Sequence, residues 1–250
     1  MKILLQQVND ALGIALTPTQ IKLFAAYEIL LLEWNSKFNL TAITDHDAIY
    51  VKHFFDSLTC LQVIPTRGEF SLIDVGTGAG FPGIPLKIIN PSINLTLVES
   101  VGKKADFCKI AVEELRMANT QVITSRAETI GHDNKFRERY DWAVARAVAP
   151  LPILAEYLLP LVRIKGSMLA QKGSGGEIEI DQAESAIKIL GGKLDSVIPI
   201  TLPNGMGKRT LVHIRKIAPT PEKYPRRPGT PKKNPLKPLN AAEFPANSVG

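Results

Sequence analysis

The chain has 250 residues, 45% of them apolar, and 30 Lys and Arg against 24 Asp and Glu give a net charge of +6. That length suits one sizeable α/β domain with additions or two small domains, and the composition is that of a soluble globular protein. No apolar run approaches a membrane span, no signal-peptide pattern opens the chain, and Cys60 and Cys108 form neither a CxxC pair nor a metal-ligand cluster, which leaves two reduced, buried thiols of a cytoplasmic protein as the expectation.

Residues 1–66 are predicted to be helical. Thr17-Pro18-Thr19-Gln20 is a helix start: Thr17 caps, Pro18 suits the first helical position and Gln20 reaches back. Ile21, Phe24, Tyr27, Leu31 and Trp34 then fall on one stripe at helical spacing. Asn39 in FNLTAIT is expected to fix a turn. A second helix is predicted over 47–64, ended by Pro65. Within it His53 and Asp56 stand three residues apart, on one helix face. That pair is expected to join the helical cap to the sheet rather than to do catalysis.

From residue 70 the pattern alternates. FSLIDV, NLTLVES, TQVITS, DWAVARA and GSMLAQKG read as strands with helical segments among them, which implies a parallel sheet with right-handed crossovers. LDSVIPITL and RTLVHIRK are separated only by PNGMGK and are predicted to form an antiparallel hairpin at one edge. The excess charge lies last. Residues 216–239 hold seven basic residues against Glu222 alone. Prolines and charges there leave little to build a core, so an extended, flexible tail is expected from 217. Its cations, Arg226, Arg227, Lys232 and Lys233, suit an RNA backbone. Tyr224 there can stack on a base.

The chemistry concentrates in FSLIDVGTGAGFPGIPL, residues 70–86. Gly78-Ala79-Gly80-Phe81-Pro82-Gly83 matches the dinucleotide fingerprint G-x-G-x-x-G. Yet Pro82 and Pro85 remove N–H donors where a pyrophosphate would need them. The other register, Asp74-x-Gly76-x-Gly78-x-Gly80, is the pattern of S-adenosylmethionine sites in α/β methyltransferases. That cofactor has no phosphate and needs close backbone approach, which glycine allows. Glu99, ending the next strand, stands where a ribose ligand is expected. Ser125-Arg126-Ala127-Glu128 stands where an adenine pocket is expected. Lys103, Lys104, Arg126, Lys172 and Arg209 fall at loops or helix starts near the same rim and are candidate phosphate contacts.

DVGTGAGFPGIPL, LVESVGKKADF, SRAE and DWAVARAVAPLPIL, preceded by EWNSKFNLTAIT and KHFFDSL, together resemble the bacterial 16S ribosomal RNA guanine-N7 methyltransferases, also called glucose-inhibited division protein B. The resemblance covers roughly residues 20–216. It implies a class I, Rossmann-like methyltransferase: an α/β, doubly wound, seven-stranded and mostly parallel sheet. Around it the expected division is an N-terminal helical cap (1–66), a methyltransferase domain (67–216) and a basic tail (217–250). It implies S-adenosylmethionine as cofactor, held by Gly76, Gly78, Phe81, Glu99, Ser100, Val101, Ala127, Glu128 and Arg146. It implies small-subunit rRNA, alone or in the assembling subunit, as partner and guanine 527 as target. The expected protein is a cytoplasmic monomer with no membrane and no metal.

Absences agree with that chemistry. The fourth strand leads into ARAVAPLP, with no Cys nucleophile for a pyrimidine carbon and no Asn/Asp-Pro-Pro-aromatic turn for an exocyclic amine. Guanine N7 needs neither, because its lone pair attacks directly and alignment suffices. No acid–base residue is expected. Arg146, at the carboxyl edge of the sheet, is the candidate for positioning substrate. A methyltransferase of a small molecule or protein, and a non-catalytic RNA-binding protein that keeps the cofactor, are the competing readings.

Overall fold

Seven strands form a single sheet in the order β3-β2-β1-β4-β5-β7-β6. The computed structural model describes residues 2–176 and 178–236, with residues 2–5 by backbone alone. The strands are β1 (Phe70–Val75), β2 (Ile93–Glu99), β3 (Thr120–Thr124), β4 (Tyr140–Arg146), β5 (Val162–Lys172), β6 (Gly192–Thr201) and β7 (Lys208–Lys216). The first five pair in parallel, while β7 runs antiparallel between β5 and β6. The expected doubly wound sheet and edge hairpin are both present. The order reverses at β1, and β1 and β4 leave the sheet side by side there. A crevice at the carboxyl ends of the strands is the place for ligands in such sheets.

The helical cap opens with α1 (Lys2–Leu12) and is built as its sequence directs. In α2 (Pro18–Phe38) Thr17 accepts from the Gln20 amide at 3.3 Å and the Gln20 side chain accepts from the Thr17 amide at 2.8 Å. Phe24, Tyr27 and Leu31 of the predicted stripe are buried. Asn39 closes α2 at φ 49°, in the left-handed region that Asn tolerates. The second predicted helix is irregular: α3 (His46–Ile49) opens into a π turn (Tyr50–Phe55), then α4 (Asp56–Leu58) and a 3-10 turn (Thr59–Gln62). Such π turns recur at functional sites, and this one carries His53 and leads into Asp56. Phe24, Tyr27 and Phe54 of the cap share one apolar core with Leu72, Leu97 and Phe107 of the sheet layers.

Between the strands run α5 (Gly83–Ile89), α6 (Gly102–Glu114), α7 (Ala127–Ile130), α8 (Leu151–Leu158) and α9 (Ile178–Ile189). A short α10 (Thr230–Lys233) follows β7. Here the expectation of a flexible tail from 217 needs correction over the described residues 217–236. Tyr224 is buried, and Arg226 meets Glu156 of α8 through its amide at 2.8 Å, its Nε at 2.8 Å and its Nη2 at 2.6 Å. Arg137 donates to the carbonyls of Thr220 and Tyr224, each at 2.7 Å. Composition predicted solvation; distant carboxylates supply the partners instead. Residues 237–250 lie outside the described residues. Among those described, no helix is long and apolar enough to cross a membrane, and no group of His, Cys, Asp and Glu has the makings of a metal site.

Candidate functional site

The loop after β1 is a chain of left-handed glycines: Gly76 at φ 69°, Gly78 at 61° and Gly80 at 92°. A side chain at Gly76 would run into Val148, and one at Gly80 into Tyr27 and Ile84. At Gly78 nothing lies within 4 Å of where a Cβ would stand. The loop thus presents bare backbone to an open space. The Tyr27 hydroxyl donates to the Ala79 carbonyl, so α2 of the cap clamps the loop from behind.

Six of the loop's amides are engaged within the protein. Those of Gly76 and Thr77 reach the Val98 carbonyl at 2.8 and 3.1 Å, and those of Gly80 and Phe81 reach the Thr77 carbonyl at 3.0 and 2.9 Å. The Gly83 amide donates to Asp74 Oδ2 at 2.8 Å and the Gly78 amide to Glu99 Oε2 at 2.9 Å. A phosphate nest needs such N–H groups free and converging. This loop offers a ligand close approach, not a phosphate cradle.

Glu99 is the polar focus. It is buried, and its Oε1 accepts from the Val101 amide at 2.8 Å and the Ser100 hydroxyl at 3.4 Å. A carboxylate has about four lone-pair directions, so this one is held rigid with acceptance to spare for a hydroxyl. Asp74 is a different case. It is fully buried and braces the loop through Thr77 at 2.7 Å and the Gly83 amide, while its Oδ1 has no protein partner. Burial pushes its carboxyl up to about 6.

Two chambers adjoin along this edge. The larger, about 370 Å³, is walled by Gly76, Gly78, Phe81, Glu99, Arg146 and, from the cap, Thr41. The smaller, about 130 Å³, is walled by Val98, Arg126, Ala127, Glu128 and Tyr157. Gly76, Ser100 and Val148 belong to both. Val148 stands beyond Ala147, a non-glycine residue at φ 53°. Strained backbone of that kind persists where the surroundings enforce it.

Arg146 closes the larger chamber. Its guanidinium lies over the Phe81 ring, 4.9 Å from the centroid, and His53 stacks on the same ring at 4.6 Å. The guanidinium donates to the Lys52 carbonyl at 3.0 Å and meets Asp56 Oδ2 at 3.3 Å. Asp56 also takes the Arg209 Nε at 3.0 Å and the Gln171 amide nitrogen at 2.7 Å. Burial raises the Asp56 carboxyl, and the two guanidiniums pull it back. The residue two cations share is thus in the cap, not Asp74 or Glu99. His53 also meets Thr41 Oγ1 at 2.9 Å, and burial, then Arg146, hold its ring down at about 3. His53 and Asp56 do join cap to sheet, through Arg146.

The other predicted positions separate into two groups. Lys103, Arg126, Arg227, Lys232 and Lys233 are exposed. Lys103 lies over the Phe38 ring at 5.4 Å. Lys172 and Arg226 need correction as phosphate contacts: Lys172 is buried against the Ala149 carbonyl at 2.6 Å and Glu179 at 3.0 Å, and Arg226 is paired with Glu156. Arg209 is partly drawn inward by Asp56. Val101 contributes its amide to Glu99 while its side chain is half-exposed. Thr41, Val148 and Tyr157 are chamber walls that sequence reasoning missed. Tyr157 lies beside Glu128 in the chamber wall, and burial, then that carboxylate, pushes its phenol up to about 12.

The residues fit S-adenosylmethionine: an open glycine shelf without free phosphate donors, a rigid carboxylate with spare acceptance, and a smaller chamber beside it. Comparison with known proteins points the same way. A family model described as rRNA small subunit methyltransferase G matches residues 20–206. The chain is 50% identical over 239 residues to the ribosomal RNA small subunit methyltransferase G of Pelotomaculum thermopropionicum, covering 94% of this chain and 100% of that one. It is 46% identical over 236 residues to the protein of that name from Alkaliphilus metalliredigens, covering 94% and 99%. A solved structure of an MtNAS mutant matches in fold, with TM-score 0.54 at 17% identity, over 86% of this chain and 82% of that one.

Proposed function

The chain belongs to the rRNA small subunit methyltransferase G family, and from that premise we propose that it methylates guanine N7 in 16S rRNA with S-adenosylmethionine. The observation that carries the cofactor reading is the glycine loop with engaged amides beside Glu99. In this reading Gly76, Gly78 and Phe81 line the methionine side, Glu99 and Ser100 take the ribose, and Ala127 and Glu128 face the adenine. Val101 holds Glu99 through its amide.

The cofactor supplies an electrophilic sulfonium methyl. The protein's own residues align and desolvate the guanine. Guanine N7 loses no proton on methylation, so no general base is called for. His53, which meets Arg146 Nη2 at 3.3 Å, is held neutral and bonded to Thr41, which suits a wall rather than a base. Arg146 positions the base or its phosphate with the donor edge that Asp56 leaves free. Lys104 at the chamber, and Lys103, Arg126 and Arg227 on the outer surface, supply phosphate contacts. The cap, residues 1–66, backs the loop and the catalytic domain spans 67–216. We take guanine 527 as the target, small-subunit rRNA, alone or in the assembling subunit, as substrate, and a cytoplasmic monomer as the working form.

The test is methyl-labelled S-adenosylmethionine with small subunits from cells lacking the modification, followed by cleavage specific for 7-methylguanine. Label at one guanine N7 is the expected result. Cofactor binding with no label on any guanine would overturn the substrate reading.

A further inference from the structure

The segment after β7 does more than cover the fold: it grips both walls of the smaller chamber. The Gly229 amide donates to Glu128 Oε1 at 2.9 Å, and Glu128 is itself a chamber wall on α7. Three residues earlier, Arg226 is paired with Glu156, which is fully buried on α8 next to the other wall residue, Tyr157. Glu128 and Tyr157 line the same chamber, and the carboxylate acts on the phenol. Further along the segment, Thr220 donates its amide to Glu138 at 2.8 Å, and His132, just after α7, meets the Pro225 carbonyl. Gly131 admits Pro225 so closely that a Cβ there would lie 2.6 Å from the proline ring. The contacts are therefore concentrated on α7, α8 and the loop after α7, the elements that hold the chamber.

We propose that residues 220–231 are a strap that positions Glu128 and Tyr157, so that seating of the strap and binding at the adenine end of the cofactor stabilise one another. This rests on the reading of the smaller chamber as the adenine pocket. The argument is geometric. Glu128 has one oxygen on the strap and a partner across the chamber. Without the Gly229 amide it is free to rotate, and the wall it forms with Tyr157 is no longer fixed. Arg226 and Glu156 hold the strap in register for that bond. The effect belongs to binding: among the described residues the strap's hydrogen bonds and ion pairs reach no wall of the larger chamber, so methyl transfer at saturating cofactor is not its concern.

Two measurements on the full chain test this. The first is hydrogen exchange of the wild-type protein, free and with saturating S-adenosylhomocysteine. Reciprocity requires that a ligand tightened by the strap also tightens the strap. Amides of residues 220–231, Gly229 included, should exchange several-fold more slowly in the complex. Unchanged exchange there, with slowing at residues 76–83, would overturn the proposal and leave the site reading intact. No slowing anywhere would instead sink the site reading. The second is the variant Arg226→Ala. Its KM for S-adenosylmethionine should rise about tenfold, with kcat within about twofold of wild type, as for lost uniform binding. An unchanged KM in a protein whose strap has become protease-sensitive would contradict the proposal. Should the variant fail to fold, the wild-type exchange result decides alone.

Discussion

The loop at 74–83 is rich in glycine and the strap at 220–231 is rich in proline, and they hold their shape by opposite means. The loop is fixed locally. Its glycines take left-handed φ values, and its amides return to Asp74, Thr77, Val98 and Glu99, within about one βα unit. The strap is fixed from afar. Its partners are Glu128, Glu138 and Glu156, some 70–100 residues earlier. A local constraint is written in spacing; a distant one is written only in the folded chain. Turn-forming residues therefore yield a ligand shelf in one place and a docked strap in the other.

Substitutions can break this contrast or sharpen it. The largest effect is expected in the strap. Glu156→Ala strips a fully buried carboxylate from Arg226, and breaking a buried pair costs about 3–5 kcal/mol. Urea unfolding should show that loss, and a cost under about 1 kcal/mol would mean that the pair is a surface-like contact. In the loop, Gly80→Ala adds left-handed strain to overlap with Tyr27 and Ile84, for about 3 kcal/mol in total. Gly229→Ala in the strap has the same sign of φ, 84°, but open space around it, so about 1 kcal/mol is expected. Equal costs at the two glycines would erase the distinction between a packed loop and a strap held by its ends.

A further test ties the loop to pH. His53, stacked on Phe81, titrates at about 3 in the folded protein against 6.5 for the free group. Between these values the unfolded chain binds the proton and the folded one does not. Stability from this group is therefore complete above about pH 6.5 and is lost as pH falls, by at most about 1.4 kcal/mol per unit. Asp74 works in the other direction between 3.8 and about 6, since its folded form holds the proton more tightly. Asp74 is common to both proteins, so the difference between wild type and His53→Gln isolates the histidine. Unfolding free energies at pH 4.5 and 6 should fall less steeply in the variant. Parallel curves would show that His53 is charged in the folded state.

Much of the fold was legible because periodicity states it. FSLIDV was bounded correctly as β1, and the Thr17 cap and the Phe24-Tyr27-Leu31 stripe folded as written. The glycine loop was legible because Gly at alternate positions after a strand has few other uses. Asp56 as the hub of Arg146 and Arg209 was half legible. Its spacing from His53 marked a contact, but the two arginines lie 90 and 153 residues further on. Thr41, Val148 and Tyr157 carried no signal, since a threonine, a valine and a tyrosine are ordinary at such positions. Lys172 and Arg226 were misread for one reason: a cation in a turn-rich stretch looks solvated until the carboxylate that takes it is seen.

The central claim is that one ligand lies across both chambers, over Val148, with its ribose on Glu99. A crystal structure with S-adenosylhomocysteine tests it directly. The account predicts ribose hydroxyls within hydrogen-bonding distance of the Glu99 carboxylate, adenine between Ala127 and Tyr157, and the homocysteine sulfur in the larger chamber towards Arg146. Adenine outside the Glu128 chamber, or a ribose with no contact to Glu99, would contradict it.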